Sequence, residues 1–299
     1  MPYRILISLL LLLVQLPLFA APRVVATIQP LHALAAGVME GVAEPQLLLP
    51  PGASPHSYAL TPSQAQALAQ ADLVVWVGSG LEQFLAKPLR TLAAKADSLE
   101  LARLDSIKLL AATPGHAHAG SGHDHADYDP HLWLDVGNAE RLLAALAERL
   151  AALDPAHAET YRRNAQRRMA QLQRLDAALQ RQLEPVQAVP FMVFHDAYRY
   201  FTQRYGLFEA TALTLNPERP PGARAVIQAR QQVSDLKVRC IFSEPQFEPG
   251  LAEAVARGSG ARIAVLDPIG AAIPPGPEAY PELLRRLATA LSDCLSEPR

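Results

Sequence analysis

Short apolar runs alternate with amphipathic stretches along the first hundred residues, and this alternation restricts the fold more than any other feature. The runs at 23–28 (RVVATI), 45–50 (PQLLLP) and 71–78 (ADLVVWVG) have the length and apolar character of buried strands. A stretch with helical character follows each run, and the second of these begins with Thr61 as a cap and Pro62 at the first helical position. Repetition of strand and helix predicts a parallel sheet that is covered by helices on both faces.

The middle of the chain is almost entirely helix-forming. From Asn138 to Gln182, Leu and Ala recur at helical spacing between Arg, Glu and Gln residues. Pro155 predicts a break or kink in this segment, because proline cannot donate a helical hydrogen bond. No strict heptad repeat persists, so a connector between two domains fits better than a coiled-coil arm.

Strands and helices alternate again after this segment. Strands are predicted at 189–194, 208–215, 238–244 and 262–267, with helices near 196–205, 222–236, 249–259 and 278–295. The expected fold is α/β: two α/β lobes with parallel sheets, joined by one long rigid helix. The expected divisions are a signal peptide at 1–20, a first lobe at 21–136, a connecting helix at 137–185 and a second lobe at 186–299. Ligands of open parallel sheets bind beyond the carboxyl ends of the strands, which predicts a site between the lobes.

The N-terminus has the features of a secretory signal peptide. Arg4 supplies a positive charge, residues 5–19 are apolar, and small residues follow. We expect cleavage after Ala20 and a soluble, exported protein; a retained membrane anchor is the alternative. The formal net charge of −2 gives no indication of binding to nucleic acid or to an acidic membrane.

The chain has two cysteines, Cys240 and Cys294. Cys240 lies in a predicted strand of the second lobe, and Cys294 lies in the predicted final helix. In an oxidising compartment such a pair would join the final helix to a core strand. A pair of buried free thiols is the alternative.

Three histidines stand at strand ends or in the loops beyond them. His56 follows the second strand, His131 precedes an apolar LWL, and His195 directly follows the first strand of the second lobe. Asp267 ends the last strand, so three imidazoles and a carboxylate could converge on one ion. That set suits Zn²⁺, and histidine with carboxylate could also hold Mn²⁺ or Fe²⁺. Histidines satisfied within their own turns are the alternative.

A second group of histidines lies among small and acidic residues at 115–127. The group consists of His116, His118, His123 and His125. Four histidines with several Asp residues within a dozen positions are well above chance, and histidine-rich tracts are typical of metal binding. The alternative is an inert, solvated insertion.

Motifs along nearly the whole chain resemble those of the zinc-specific periplasmic binding proteins of ABC transporters, the ZnuA family. They occur in the family's order: LLPPGASPHSYALTPSQAQALAQADLVVWVG, DPHLWLD, VFHDAYRYF, FSEPQF and LDPIG. The resemblance implies two α/β lobes joined by a long helix, and a receptor that captures Zn²⁺ and presents it to an inner-membrane ABC permease and its ATPase. It implies no catalysis, and we expect a monomer.

The resemblance also assigns residues. It implies that His56, His131 and His195 bind zinc, and that Asp267 is either the fourth ligand or a neighbour of the metal, with water as the alternative ligand. Some zinc-binding members use a Glu before the first histidine, where this chain has Pro55.

The remaining family features fit the chain in the same way. A disulfide between the last lobe's strand and its final helix occurs in the zinc branch, which supports the Cys240–Cys294 pair. A histidine-rich loop in that branch is thought to gather zinc. Glu244, in FSEPQF, is expected near the pocket, either supporting a ligand or forming a plain salt bridge.

Three other functions remain open on the sequence. Three histidines with an open position could activate water in a zinc hydrolase or hydratase, although no HExxH motif and no obvious general base accompany them. A manganese or iron receptor of the same superfamily typically has Glu in place of the third histidine, where this chain has His195. A periplasmic metal buffer could act through the histidine-rich loop alone.

Overall fold

A computed structural model describes residues 21–113, 128–208, 211–215, 217 and 221–296. The expected signal peptide and the four histidines of the 115–127 loop lie outside these residues. Within the described part of the chain, no helix is both long and apolar enough to cross a membrane.

Four parallel strands form the first sheet, and they follow three of the predicted apolar runs and one further segment. The strands are β1 (Val24–Ala26), β2 (Gln46–Leu47), β3 (Leu73–Trp76) and β4 (Asp97–Glu100). Their order in the sheet is β2-β1-β3-β4. The residues of β1 and β3 are all buried, as expected for central strands covered on both faces.

The sequence analysis missed β4. Its residues are Asp-Ser-Leu-Glu, of which only Leu99 is buried. A strand at the edge of a sheet needs no continuous apolar run, because one of its sides and part of its faces remain in contact with solvent. The apolar signal that identified the central strands is therefore absent here.

The second sheet repeats the arrangement of the first. Its strands are β5 (Phe191–His195), β6 (Thr211–Thr214), β7 (Cys240–Ser243) and β8 (Arg262–Val265), in the order β6-β5-β7-β8. All pairs are parallel. The chain passes from β5 to β6 on one side of the sheet and from β7 to β8 on the other. A crevice therefore opens beyond the carboxyl ends of the neighbouring strands β5 and β7. The prediction of two α/β lobes is confirmed.

Helices cover both sheets and account for most of the remaining described residues. They are α1 (Gln29–Met39), α2 (Pro62–Gln70), α3 (Ala86–Thr91), α4 (Val136–Leu153), α5 (Ala158–Leu183), α6 (Arg199–Tyr205), α7 (Ala223–Asp235), α8 (Gly250–Ala256) and α9 (Ala279–Ser296). The predicted start of α2 is present: the Thr61 hydroxyl accepts a hydrogen bond from the backbone N–H of Gln64.

The segment expected as one connecting helix over 137–185 contains two helices, α4 and α5. The chain breaks at Pro155, as the sequence indicated, and reverses direction there. An Arg162–Glu148 pair with a nitrogen–oxygen distance of 2.7 Å joins the two helices across the break. Helix α5 has 26 residues and packs against α1 of the first lobe and α9 of the second. It is therefore α5 that connects the lobes.

Polar contacts fix the lobes against each other. Trp133, near the end of the first lobe, donates from its indole Nε1 to the carbonyl oxygen of Pro268 in the second lobe at 2.7 Å. The Tyr280 hydroxyl in α9 donates to the carbonyl oxygen of Trp133 at 2.6 Å. These groups are buried, so losing a partner would leave an unsatisfied polar atom away from water.

Arg168 in α5 adds an ionic link between the lobes. Its guanidinium pairs with Glu40 at the end of α1, at 3.0 Å, and with Glu278 just before α9. The Arg168 side chain is only 9% exposed, so its charge is stabilised by these two carboxylates more than by water.

The two cysteines form a disulfide, as predicted. Cys240 begins β7 and Cys294 lies near the end of α9, 54 residues later. The bond ties the final helix to a central strand of the second sheet.

We expect the Cys240→Ala/Cys294→Ala double variant to lose on the order of 4 kcal/mol of unfolding free energy, the loop-entropy value for a 54-residue loop. Urea denaturation of both proteins measures it. Adding a reductant should destabilise the wild-type protein and leave the double variant unchanged. Equal midpoints for the two proteins without reductant would contradict the prediction.

A buried carboxyl group, that of Glu82, gives the first lobe a pH-dependent stability. Its Oε2 accepts hydrogen bonds from the backbone N–H groups of Val77 (2.8 Å) and Gly78 (3.0 Å), and its Oε1 bonds with the Thr27 hydroxyl. Burial raises the pKa of Glu82 from 4.5 to about 7, and these hydrogen bonds only partly oppose the shift.

Because the pKa of Glu82 is higher in the folded state, its contribution to stability is complete below about pH 4.5 and is lost as pH rises through about 7. Glu82→Gln imitates the protonated acid, with an amide N–H₂ towards Thr27. We expect the unfolding free energy of the variant to rise relative to that of the wild type by about 3 kcal/mol as the pH increases from 4.5 to 8. Thermal or urea unfolding across this range tests it. Glu248→Gln, at an exposed site, is the matched control, and parallel pH curves for all three proteins would refute the prediction.

Candidate metal centre

Three histidines, one on each of three separate chain segments, meet between the lobes. The potential ligand nitrogens of His56, His131 and His195 all lie within 4.8 Å of one another. His195 is the last residue of β5, His131 lies just before a short 3₁₀ turn leading into α4, and His56 lies in the loop after β2. His131 and His195 are buried, and His56 is half-buried.

The strand order of the second lobe explains the position of His195. Strands β5 and β7 are neighbours at the crevice, so the residues after them meet at the same edge of the sheet. Glu244 directly follows β7, and its Oε1 accepts a hydrogen bond from His195 Nδ1 at 2.7 Å. Both side chains are at most 4% exposed. The carboxylate therefore holds the ring with Nδ1 as the donor and directs Nε2 into the crevice.

His131 has the same support from its own chain segment. Asp129 Oδ1 accepts hydrogen bonds from His131 Nδ1 at 2.8 Å and from the His131 backbone N–H at 3.0 Å. The Tyr200 hydroxyl of α6 donates to the Asp129 carbonyl oxygen at 2.9 Å, so the second lobe helps to position this segment. Both buried histidines thus carry a carboxylate on Nδ1 and leave Nε2 for a ligand.

The geometry between the two rings favours a cation. The Nε2 atoms of His131 and His195 are 3.2 Å apart. Each ring already donates through Nδ1, so a hydrogen bond between these atoms would require one ring to carry protons on both nitrogens. Otherwise two lone pairs face each other, and a metal ion that accepts both removes the conflict. The ring of His56 completes a triangle, with centroid distances of 5.4 Å and 5.5 Å to the other two rings.

Apolar side chains form most of the wall around the three rings. The apolar wall residues are Pro55, Trp133, Phe247, Pro268 and Ile269, and the polar ones besides the histidines are Ser54, Glu244 and Gln246. The cavity that they enclose has a volume of about 20 Å³, which is room for an ion and a bound water but not for an organic molecule. Exclusion of bulk water strengthens the attraction between a cation and its ligands.

Asp267 does not join the histidine cluster. Its Oδ1 accepts hydrogen bonds from the backbone N–H groups of Ile269 and Gly270 and from Gln246 Nε2, and its Oδ2 accepts one from the Ala271 N–H at 2.6 Å. The group that could hold an ion consists of the three histidines without this carboxylate. The loop after β8 uses the charge of Asp267 to satisfy its own backbone.

Tyr198 lies beside the two carboxylates of the second lobe. Burial raises its pKa well above the ordinary value, and the negative charges of Glu244 and Asp267 add to the effect. The phenol therefore stays neutral and donates to the Leu266 carbonyl oxygen at 3.2 Å. This bond connects α6 to the end of β8.

Two contributors to the site were not identified from the sequence. Asp129 stands two residues before His131 in the DPH motif, and a carboxylate at that spacing could have indicated support for the ring. Gln246 lines the cavity, but nothing in the sequence distinguishes it from a surface glutamine. The expected secondary zinc ligands His116, His118, His123 and His125 lie outside the described residues.

Two α/β lobes with a buried histidine cluster between them define a two-lobed metal-binding protein. The chain belongs to the family described as zinc-uptake complex component A, periplasmic, which it matches over residues 24–294. It is 39% identical to the high-affinity zinc uptake system protein ZnuA of Brucella suis biovar 1, with 92% of each chain covered. The family resemblance of the motifs is confirmed.

Solved structures agree with this assignment. A crystal structure of ZnuA has a TM-score of 0.79 and 26% identity, and the match covers 92% of this chain and 99% of that one. The SBP FpvC from Pseudomonas aeruginosa, solved in complex with Mn²⁺, has a TM-score of 0.80 and 25% identity, with 92% and 99% of the chains covered. The fold is thus shared by a ZnuA protein and by a protein solved in complex with Mn²⁺.

We expect Glu244→Ala to weaken metal binding by about 10–100-fold, because His195 loses the carboxylate that orients it. Glu244→Gln should weaken it less, since an amide oxygen can still accept from Nδ1. Competition with a chromophoric chelator measures both affinities. Glu253→Ala, in α8 away from the cavity, is the control. Unchanged affinity for Glu244→Ala would show that this contact is an ordinary salt bridge.

Proposed function

We propose that this protein is the zinc receptor of an ABC importer: it binds one Zn²⁺ ion between its lobes and presents it to a membrane permease. The observation that carries the proposal is the convergence of three imidazoles within 4.8 Å in a small, mostly apolar cavity. Membership of the zinc-uptake family supports the same function. The partners would be the inner-membrane permease and its ATPase, and the receptor would act as a monomer in the periplasm after removal of residues 1–20.

The donor set favours zinc over manganese. Three nitrogen ligands suit Zn²⁺, which prefers four-coordinate sites, whereas Mn²⁺ favours carboxylate, carbonyl and water oxygens. The carboxylates nearest the cluster, those of Asp129 and Glu244, each use an oxygen on an imidazole Nδ1. With Asp267 bound to its own loop, imidazole nitrogen dominates the protein's contribution to the site.

Binding accounts for the site better than hydrolysis does. A zinc hydrolase needs an open metal position and space beside it for a substrate. Here Trp133 and Phe247 line the cavity beside the rings, and its volume of about 20 Å³ fits a small ion. A receptor needs a site of this kind, with fixed ligands in a small and mostly apolar cavity.

We further propose that the four histidines of the 115–127 loop bind additional zinc more weakly than the central site. A segment rich in Gly, Ala and Ser has no apolar face to bury, so a metal that bound it would have to pay the entropy of ordering it. The central site avoids this cost because its imidazoles are held in place beforehand.

A pair of variants separates the two kinds of site. We expect His195→Ala to weaken the tight zinc site by more than about 100-fold, beyond the loss typical of a supporting residue, and to leave the weak sites unchanged. Deleting residues 115–126 should retain the tight site and remove the weak binding. Calorimetry with Zn²⁺ measures both, and His157→Ala, at the remote break between α4 and α5, is the control.

The opposite results have clear meanings. Wild-type affinity in His195→Ala would place the tight site elsewhere and refute the proposal. Loss of tight binding in the deletion variant would assign a primary ligand to the loop. Unchanged total stoichiometry in that variant would mean that the loop binds no zinc.

A further inference from the structure

Gln246 lines the metal cavity two residues after Glu244 and has an unusual hydrogen-bonding state. Its Nε2 donates to Asp267 Oδ1 at 2.8 Å. Its Oε1 is buried, yet accepts no hydrogen bond from any residue that the structure describes. A buried amide oxygen without a donor costs free energy, so a donor is expected at this position when the site is in use.

Asp267 determines which end of the Gln246 amide is left without a partner. The carboxylate can only accept, and three backbone N–H groups of its own loop hold it in place. The amide must therefore turn its N–H₂ group towards Asp267, and its carbonyl oxygen away from it. Asp267 thus orients an acceptor at the cavity wall without contacting an ion itself.

The chemistry of the histidine cluster supplies the missing donor. Three imidazoles leave one position of a tetrahedral zinc ion unfilled. Pro55, which lines the cavity before His56, has no ligand atom in its side chain, and the Asp267 oxygens are occupied. A water molecule that completes the coordination becomes a strong hydrogen-bond donor, because the metal draws charge from its oxygen.

We propose that Gln246 Oε1 accepts a hydrogen bond from a water molecule that is the fourth ligand of the bound zinc, and that Asp267 acts through Gln246. This inference rests on the proposed zinc-receptor function and adds a positioning residue to it. The three histidines then bind the ion directly, and the Asp267–Gln246 pair holds the water molecule that completes the tetrahedral coordination of the ion.

The test compares two glutamines of the second lobe. Gln246→Met keeps the length of the side chain and replaces the amide oxygen with a thioether sulfur, which is only a weak acceptor. Gln187→Met makes the same chemical change at a half-buried position where Nε2 donates to the Tyr205 carbonyl oxygen, away from the cavity. Zinc affinity is measured by chelator competition. The visible spectrum of bound Co²⁺ is measured as well, because its bands respond to the ligands around the ion.

We expect Gln246→Met to bind zinc about 10–100-fold more weakly and to shift the Co²⁺ bands, with the metal-free protein melting within the range of the control. Asp267→Asn should change the spectrum in the same direction, since its effect passes through Gln246. Gln187→Met should keep the wild-type affinity and spectrum.

Two results would overturn the inference. One is wild-type affinity and spectrum in Gln246→Met. The other is a weaker affinity with an unchanged Co²⁺ spectrum, which would mean that Gln246 only supports the loop. His195→Ala, measured alongside, separates this from a failure of the proposed function: tight zinc binding in that variant would refute the receptor site itself, whatever Gln246 does.

Discussion

The close approach of two imidazole nitrogens is the constraint on which the rest of the structure depends. His131 and His195 come from different lobes, and their Nε2 atoms are held 3.2 Å apart with both lone pairs directed at the same space. Two neutral rings that both donate through Nδ1 would oppose their lone pairs here, so a proton or a metal ion between them relieves the repulsion and other interactions hold the rings in place. Asp129 and Glu244 do so by binding the Nδ1 atoms, which fixes both rings before any ion arrives.

The rings of His131 and His195 keep this spacing only if the two lobes keep their relative position. The Trp133–Pro268 and Tyr280–Trp133 hydrogen bonds cross the interface beside the site, and the Arg168 ion pairs cross it along α5. Helix α5, with 26 residues, packs on helices of both lobes. The energy of this interface is therefore what keeps three distant chain segments within ligand distance of one another.

The second lobe carries more of the site than its single histidine suggests. Glu244 and Gln246 follow β7, and Asp267 follows β8, so all three polar side chains emerge at the same edge of one parallel sheet. They have separate tasks in the geometry: Glu244 orients a ring, and Asp267 stabilises its loop and turns the Gln246 amide. The first lobe contributes His56 and His131 with the single carboxylate of Asp129. On the proposed function, selectivity for zinc would then arise from the nitrogen ligands of a small cavity, with the protein's own carboxylate and amide oxygens kept one layer further out.

The sequence by itself determined the two α/β lobes, the break at Pro155, the disulfide candidates and the three histidines, because each leaves a local signal: a buried apolar run, a proline in a helix, a polar residue where a strand ends. It could not reveal β4, whose edge position needs no apolar run, or the reversal of the chain between α4 and α5. Only the tertiary structure decided that Asp267 belongs to its own loop, that Asp129 and Glu244 hold the rings, and that Gln246 faces the cavity. These roles depend on which atoms of distant segments lie within hydrogen-bonding distance, and no pattern along one segment encodes that distance.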